Sequence, residues 1–250
     1  MQPATAQNYN LSVSGGTDVH TYYLSGAYSK ENTSTVGNYG ERINLVANQE
    51  FKILKKITLG VSLKGAFFNY ANNGIGLNIL ANGANTFMPY DDIHDNFYYT
   101  IGEHYADSLE NLGYRNWSTN YLDELKMNRN YTRDNNYSGT ITLDIPIYKG
   151  IGFNASYMQE RDFFSIRNTL DKNSAYVRDL YNKGTVMSGT TLVHNFPDGS
   201  ILRANNNNMN NYSARGQFTY NRTIKEDHQI SALAGMEVRQ TLNSANSYTI

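Results

Sequence analysis

The 250-residue chain contains no cysteine. A disulfide framework, a zinc ribbon, an iron-sulfur cluster and a cysteine nucleophile are therefore excluded, while the redox compartment stays open. An excess of one charge is also missing. Lys and Arg number 21 against 22 Asp and Glu, for a net charge of -1 with no basic run or stripe, which argues against a nucleic-acid partner. No apolar run approaches the ~20 residues that a membrane-spanning helix needs, so helical membrane proteins are excluded and strand-built ones are not. The opening MQPATAQNYN lacks the basic region, apolar core and small-residue cleavage site of an export signal. The expectation is a cytoplasmic protein or a piece of a longer one. HExxH, GxSxG, GK[ST] and GxGxxG are all missing, and no cofactor is implied. What the chain does have is 34 Asn and 21 Tyr, and so many aromatics argue against disorder.

Apolar residues recur with period 2, as in a strand, whose successive side chains point to opposite faces. Eight runs carry the pattern. The first two place Tyr9, Leu11 and Val13, then Tyr22, Leu24, Gly26 and Tyr28, on one face. Ile43, Leu45, Ala47 and Phe51 follow, then Ile57, Leu59, Val61, Leu63 and Phe67. Beyond a gap come Ile141 to Ile147 and Ile151 to Tyr157. Tyr212 to Tyr220 and Ile230 to Val238 close the series. Nearly every charge within the runs falls on the other face, including Arg42, Glu50, Lys64, Asp144, Arg215 and Glu237.

This alternation suits a half-buried antiparallel sheet or a transmembrane barrel, and the connections separate the two. GGTDVH, KILKK, YKG and IKEDH are tight turns. ENTSTVGN, roughly sixty residues over 72–133 and roughly forty over 168–208 are the longer links, in strict alternation with the turns. A sandwich has no reason to keep that phase, whereas outer-membrane barrels join short periplasmic turns to long extracellular loops. Tyr near run ends fits interfacial girdles as well as plain strand propensity. The predicted class is all-β, an antiparallel transmembrane β-barrel segment of about eight strands. With the tight turns periplasmic, both chain ends would lie outside, so a piece of a larger barrel is expected ahead of a standalone eight-stranded one.

Residues 8–70, NYNLSVSGGTDVHTYYLSGAYSKENTSTVGNYGERINLVANQEF with the following KKITLGVSL, resemble the SusC/RagA family of TonB-dependent outer-membrane transporters. YSGTITLDIPIYKGIGFNASY and YSARGQFTYNRTIKEDHQISALAGMEV are similar to later barrel hairpins of that family. The likeness covers about half the chain and neither long loop. It implies a 22-stranded barrel with a plug, here represented over residues 1–250 by part of the barrel without the plug. It further implies bacterial outer-membrane localisation and import of oligosaccharides or peptides. A SusD-like surface lipoprotein, the TonB system and outer-membrane lipid are the implied partners. A small barrel acting as adhesin or anchor, and a soluble all-β glycan-binding module, are the competing readings. An enzyme comes last.

Loops on a rigid scaffold are where binding specificity usually lies, which directs attention to 72–133. Tyr98, Tyr99, Tyr114 and Trp117, the only Trp, stand there with Asp91 and Asp92. Aromatic faces beside carboxylates suit a sugar, although a loop folded onto itself or packed on a lid protein is expected ahead of ligand contact. DSLENLGYRNW is a candidate short helix. Asp91, Asp92 and Asp95 lack the glycine and distal glutamate of an EF-hand, so solvated loop carboxylates are expected ahead of a calcium site, and the five histidines, without ligand spacing, are expected as surface residues. Asn205 to Asn208 read as low-complexity loop. The six charged residues of the polar face are expected to face the lumen, where they could pair, line a solute path or meet a plug.

Overall fold

The computed structural model describes residues 2–54, 56–73, 98–99, 103–119, 121–224 and 228–250. All eight periodic runs are strands of one antiparallel sheet. They are β1 (Thr5–Gly16), β2 (His20–Asn32), β3 (Tyr39–Ile53) and β4 (Ile57–Asn72), then β7 (Asn128–Tyr148), β8 (Ile151–Leu170), β11 (Ile201–Ile224) and β12 (His228–Thr249). Their order in the sheet follows their order in the chain, each strand pairing with the next. The sheet is open. Within the described residues β1 pairs only with β2 and β12 only with β11.

Between these strands lie β5 (Tyr98–Tyr99) and β6 (Ser118–Thr119), which pair with each other, and β9 (Thr185–Ser188) and β10 (Thr191–His194), which form a small hairpin. Among the described residues three helices accompany them: α1 (Glu103–Asn111), α2 (Tyr121–Met127) and α3 (Ala175–Lys183). Among the described residues no helix is long and apolar enough to cross a membrane, which says nothing about strands.

The strands outrun the periodic segments at the long-connection end. β7 begins at Asn128, β8 continues to Leu170 and β11 starts at Ile201, so the links 72–133 and 168–208 are shorter than the sequence suggests. Asn205 to Asn208, read as loop, sit inside β11 between β8 and β12. The reason is physical. NRNYTRDNNY and RANNNNMNN are polar on both faces, so the ladder continues through segments whose composition carries no alternation. Helix α1 starts before DSLENLGYRNW and takes in only its first five residues.

The tight turns keep their phase. Lys149 and Gly150 form the two-residue turn between β7 and β8, both at positive φ (44° and 87°), as a primed hairpin turn requires. A Cβ on Gly150 would run into the Asn221 carbonyl oxygen, and Asn221 donates its N–H to the Gly150 carbonyl at 2.8 Å. Pro146 lies at the adjoining register shift, where a missing N–H is tolerated.

The sheet has no interior of its own. The buried apolar residues among those described are Ala71, Ala106, Leu170, Val177 and Ala204, all toward the long connections. Along the sheet the apolar face is open: Leu11 is 80 % exposed, Leu63 56 % and Met236 74 %. Aromatic contacts border this band on both sides. Tyr9 stacks on Tyr28 (6.3 Å) and Phe67 meets Tyr137 edge-on (5.3 Å) toward the long connections. His20 stacks on Phe51 (4.4 Å) and Phe153 meets Phe218 at a tilt (4.9 Å) toward the turns.

The band runs obliquely to the ladder. Tyr22 shares its register row with Gln49, Val61, Ile141, Tyr157 and Ala214, yet the corresponding limit on β11 is Tyr220, six residues beyond Ala214. Six residues are ~20 Å along a strand, and five strand spacings are ~24 Å across. The strands are thus inclined to the band normal by about 40°, within the tilt range of membrane barrels.

Candidate functional site

Two regions carry polar groups in organised form: the face opposite the apolar band and the cap built from the two long connections. Arg42, Glu50, Lys64, Asp144, Arg215 and Glu237 occupy alternate positions that the register assigns to the same polar face. Glu50 borders a hollow of about 360 Å³ with Tyr23, Asn48 and Thr142. Asp144 and Arg215 border another of about 260 Å³, where Asp144 accepts from Asn154 Nδ2.

The six do not pair with one another. Arg215 is opposite Glu237 in register, but its Nη2 donates to Gln217 Oε1 at 2.5 Å, while Glu237 accepts from Arg239 at 2.8 Å and Ser213 Oγ at 3.3 Å. Arg42 lies 5.2 Å over the Phe68 ring. Sequence reading missed Asp134, Glu160 and Asp162 on the same face. Glu160 is held by Asn136 Nδ2 (3.0 Å) and Asn211 Nδ2 (3.3 Å). Counting by twos from Asp144 and Asn154 would have found all three.

The cap begins with local signals. Ser174 caps α3, its Oγ accepting the Val177 N–H at 3.4 Å, and Gly184 ends the helix. A Cβ at Gly184 would overlap the Phe196 ring. Serine before and glycine after an apolar-periodic stretch mark a helix, so α3 was readable. Its partner residues were not, because they come from the other connection.

Arg115, between α1 and β6, donates its N–H to Asn182 Oδ1 and accepts from Asn182 Nδ2, both at 2.8 Å. Its guanidinium reaches the Lys172 carbonyl (2.9 Å), pairs with Asp198 and lies 4.3 Å over Tyr181. Arg178 answers from α3, donating to the Asn116 carbonyl (2.8 Å) and the Ser118 carbonyl (2.6 Å). Glu124 on α2 accepts from the Ala175 N–H at 2.6 Å and Asn128 Nδ2 at 3.0 Å.

Burial pushes the Glu124 carboxyl above the ordinary carboxylate value, although the Ala175 and Asn128 hydrogen bonds oppose the shift. Burial likewise lowers Arg178, against the attraction of Glu124. Asp198 is held below the usual range, chiefly by its hydrogen bond from Arg115. The Glu124 and Arg178 shifts mark a desolvated contact between the two connections, and the exposed Arg115–Asp198 pair braces it from outside.

Of the proposed binding residues, Tyr114 and Trp117 are neighbours, half-buried, with ring centroids 5.9 Å apart. The backbone of Tyr98 and Tyr99 pairs with Thr119 and Ser118, beside Trp117. Asp91 and Asp92 lie outside the described residues. Tyr114 and Trp117 thus lie where Arg115 and Arg178 clamp the connections together, at the strand ends.

No family model matches the sequence, and no curated protein matches it either. Solved structures do match the fold. A structure of the RagAB peptide transporter superposes with a TM-score of 0.66 at 17 % identity, over 98 % of this chain and 25 % of that one. The RagAB peptide importer in its closed-closed state gives 0.63 at 15 %, and in its open-open state 0.62 at 16 %, each over 96 % of this chain and 25 % of the other. The chain therefore spans about a quarter of the length of these solved chains. At such identity the likeness establishes the fold alone, an antiparallel β-barrel segment like the stretch it superposes on in those structures.

Proposed function

We propose that the chain is part of the barrel wall of a SusC/RagA-type, TonB-dependent outer-membrane importer of peptides or oligosaccharides. The observation that carries this reading is the uncovered apolar face, a band bordered by aromatic contacts and oblique to the strands by about 40°. A water-soluble sheet rarely leaves so large a contiguous apolar surface open, and hydrocarbon is the solvent that suits it. The opposite face carries carboxylates, arginines and amides, in keeping with a lumen through which polar solutes pass.

In this reading the braced connections face outward, and Tyr98, Tyr99, Tyr114 and Trp117 belong to the solute-recognising or lid-facing surface. A SusD-like lipoprotein and TonB act through the remainder of the protein, and the role is not catalytic. The RagAB structures, named for peptide transport, favour peptides as the first solute class to try.

Mass spectrometry of membrane fractions from the source cells, following peptides of residues 8–70, tests the proposal. The expected result is an outer-membrane polypeptide several times longer than this chain, whose deletion abolishes growth on peptides or oligosaccharides. Finding those peptides in the soluble fraction overturns it.

A further inference from the structure

The charged residues of β7 and β8 are sorted by face. Asp134, Glu160 and Asp162 lie on the polar face, whereas Arg129, Arg133, Arg161 and Arg167 lie on the apolar-band side, all four exposed. On that side the register leaves Glu41 as the one carboxylate of the eight-stranded sheet among the described residues, and Lys30 engages it at 3.0 Å. Among the described residues Arg133 donates to Asn69 Oδ1 alone (3.3 Å) and Arg129 to Tyr131 Oη alone (3.4 Å). No described carboxylate pairs with any of the four. Each guanidinium has five donors, so a strong anion-binding capacity goes unused on a face that otherwise meets hydrocarbon.

Directly beside the arginines the same face is hollow. Gly26, Gly65 and Gly139 remove side chains from the band and leave a groove of about 900 Å³ walled by Leu11, Leu45 and Leu63, with Arg161 at its end. A second depression of about 660 Å³ is lined by Arg133 and Arg167 and also by Glu41, whose charge Lys30 engages. The two adjoin, since Tyr137 and Asn135, or Arg161 and Phe163, are successive positions on that face, one in each hollow. An apolar groove opening into an arginine-lined hollow complements a molecule with acyl chains at one end and phosphate at the other.

Resting on the membrane reading above, we propose that this face holds a phosphorylated, acyl-chained lipid of the leaflet nearer the long connections. Its chains lie over Gly26, Gly65 and Gly139, and its phosphate lies between Arg133 and Arg161. Arg167 binds the outer part of the headgroup.

The test uses the full native polypeptide, purified from membranes in neutral detergent and examined by native mass spectrometry with added diphosphorylated lipid A. Wild type should retain lipid A. The double variant Arg133→Gln, Arg161→Gln should retain about tenfold less, with unchanged heat-modifiable migration as the folding control. Gly26→Leu, whose new Cβ would have only ordinary contact with Leu45, fills the groove without altering charge and should also reduce retention. Equal retention by the double variant overturns the proposal, as does displacement of lipid A by inorganic phosphate alone. A second polypeptide bound in place of lipid overturns it as well. Absence of the polypeptide from membranes fails the importer reading, whereas a membrane-embedded protein indifferent to these substitutions fails this inference alone.

Discussion

Glu124 accepts the backbone N–H of Ala175 at 2.6 Å, across fifty-one residues and between the two long connections. The bond joins α2 to the first turn of α3, and Asn128 secures the second carboxylate oxygen from the start of β7. Hydrogen bonds to a charged group contribute ~1.5–3 kcal/mol, so Glu124→Ala should loosen the cap by about 2 kcal/mol and leave the sheet intact. The pH dependence follows from the raised pKa. Above the unfolded-state value the native carboxyl still holds its proton more often than the unfolded one. Its contribution is therefore fullest below that value and is lost as pH rises through the folded one. Hydrogen exchange at Ala175, measured over that interval, should quicken with pH beyond the intrinsic rate in wild type and less so in Glu124→Gln.

Asp198 titrates in the opposite sense. Arg115 holds its carboxyl below the usual range, so the contribution of the pair is complete at neutral pH and disappears as pH falls through the folded value in acid. Arg115→Lys would keep one charge but lose the forked contact with Lys172 and Asp198 and the stacking on Tyr181, and it should behave nearly like Arg115→Ala. Limited proteolysis over 103–119 and 171–200 gives the readout. Both variants are expected to be cut faster at neutral pH, and wild type should approach them only in acid. A Lys variant as resistant as wild type would leave charge alone as the brace.

These braces explain what the sequence could and could not disclose. The eight strands were legible because Leu45, Leu63 and Ile141 repeat at the strand period on one face, and the tilt was implicit in how their limits drift along the ladder. The upper parts of β7, β8 and β11 were not, since residues such as Asn130 and Asn206 are polar whichever way they point. Asp134, Glu160 and Asp162 were within reach of a simple count. The Arg115–Asn182 clamp spans sixty-seven residues, and no local pattern encodes which asparagine among 34 it selects.

The Lys149–Gly150 turn gives two substitutions of different consequence. Gly150 needs φ of 87° and has the Asn221 carbonyl where a Cβ would go. Left-handed backbone alone costs a non-glycine residue about 1–2 kcal/mol, and displacing β11 adds to that. Lys149, at 44°, already bears the left-handed conformation. Lys149→Gly removes that strain while gaining unfolded-state freedom, two effects that nearly cancel to within about 0.5 kcal/mol. Urea unfolding of the lipid-reconstituted protein should show Gly150→Ala clearly destabilised and Lys149→Gly close to wild type. Equal losses would mean that the turn is not held as described.

Leu63 and Ser62 are adjacent in β4 and point to opposite faces, Leu63 into the apolar band between Ala47 and Gly139, Ser62 toward Asn48 and Thr140. Arginine at the two positions distinguishes hydrocarbon from water as the solvent of the band. Facing lipid near mid-depth, Leu63→Arg should cost about 2–4 kcal/mol. Ser62→Arg gives up the 2.7 Å bond to Asn48 but enters a hydrated face, for a loss of about 1 kcal/mol or less. In a water-soluble sheet the order would change, because Leu63 is already 56 % exposed and surface substitutions there stay within about 0.5 kcal/mol. Unfolding midpoints of the two variants in lipid vesicles, compared with wild type, decide between the cases. A Leu63→Arg variant as stable as Ser62→Arg would remove the membrane from the account and leave the apolar band to be covered by protein.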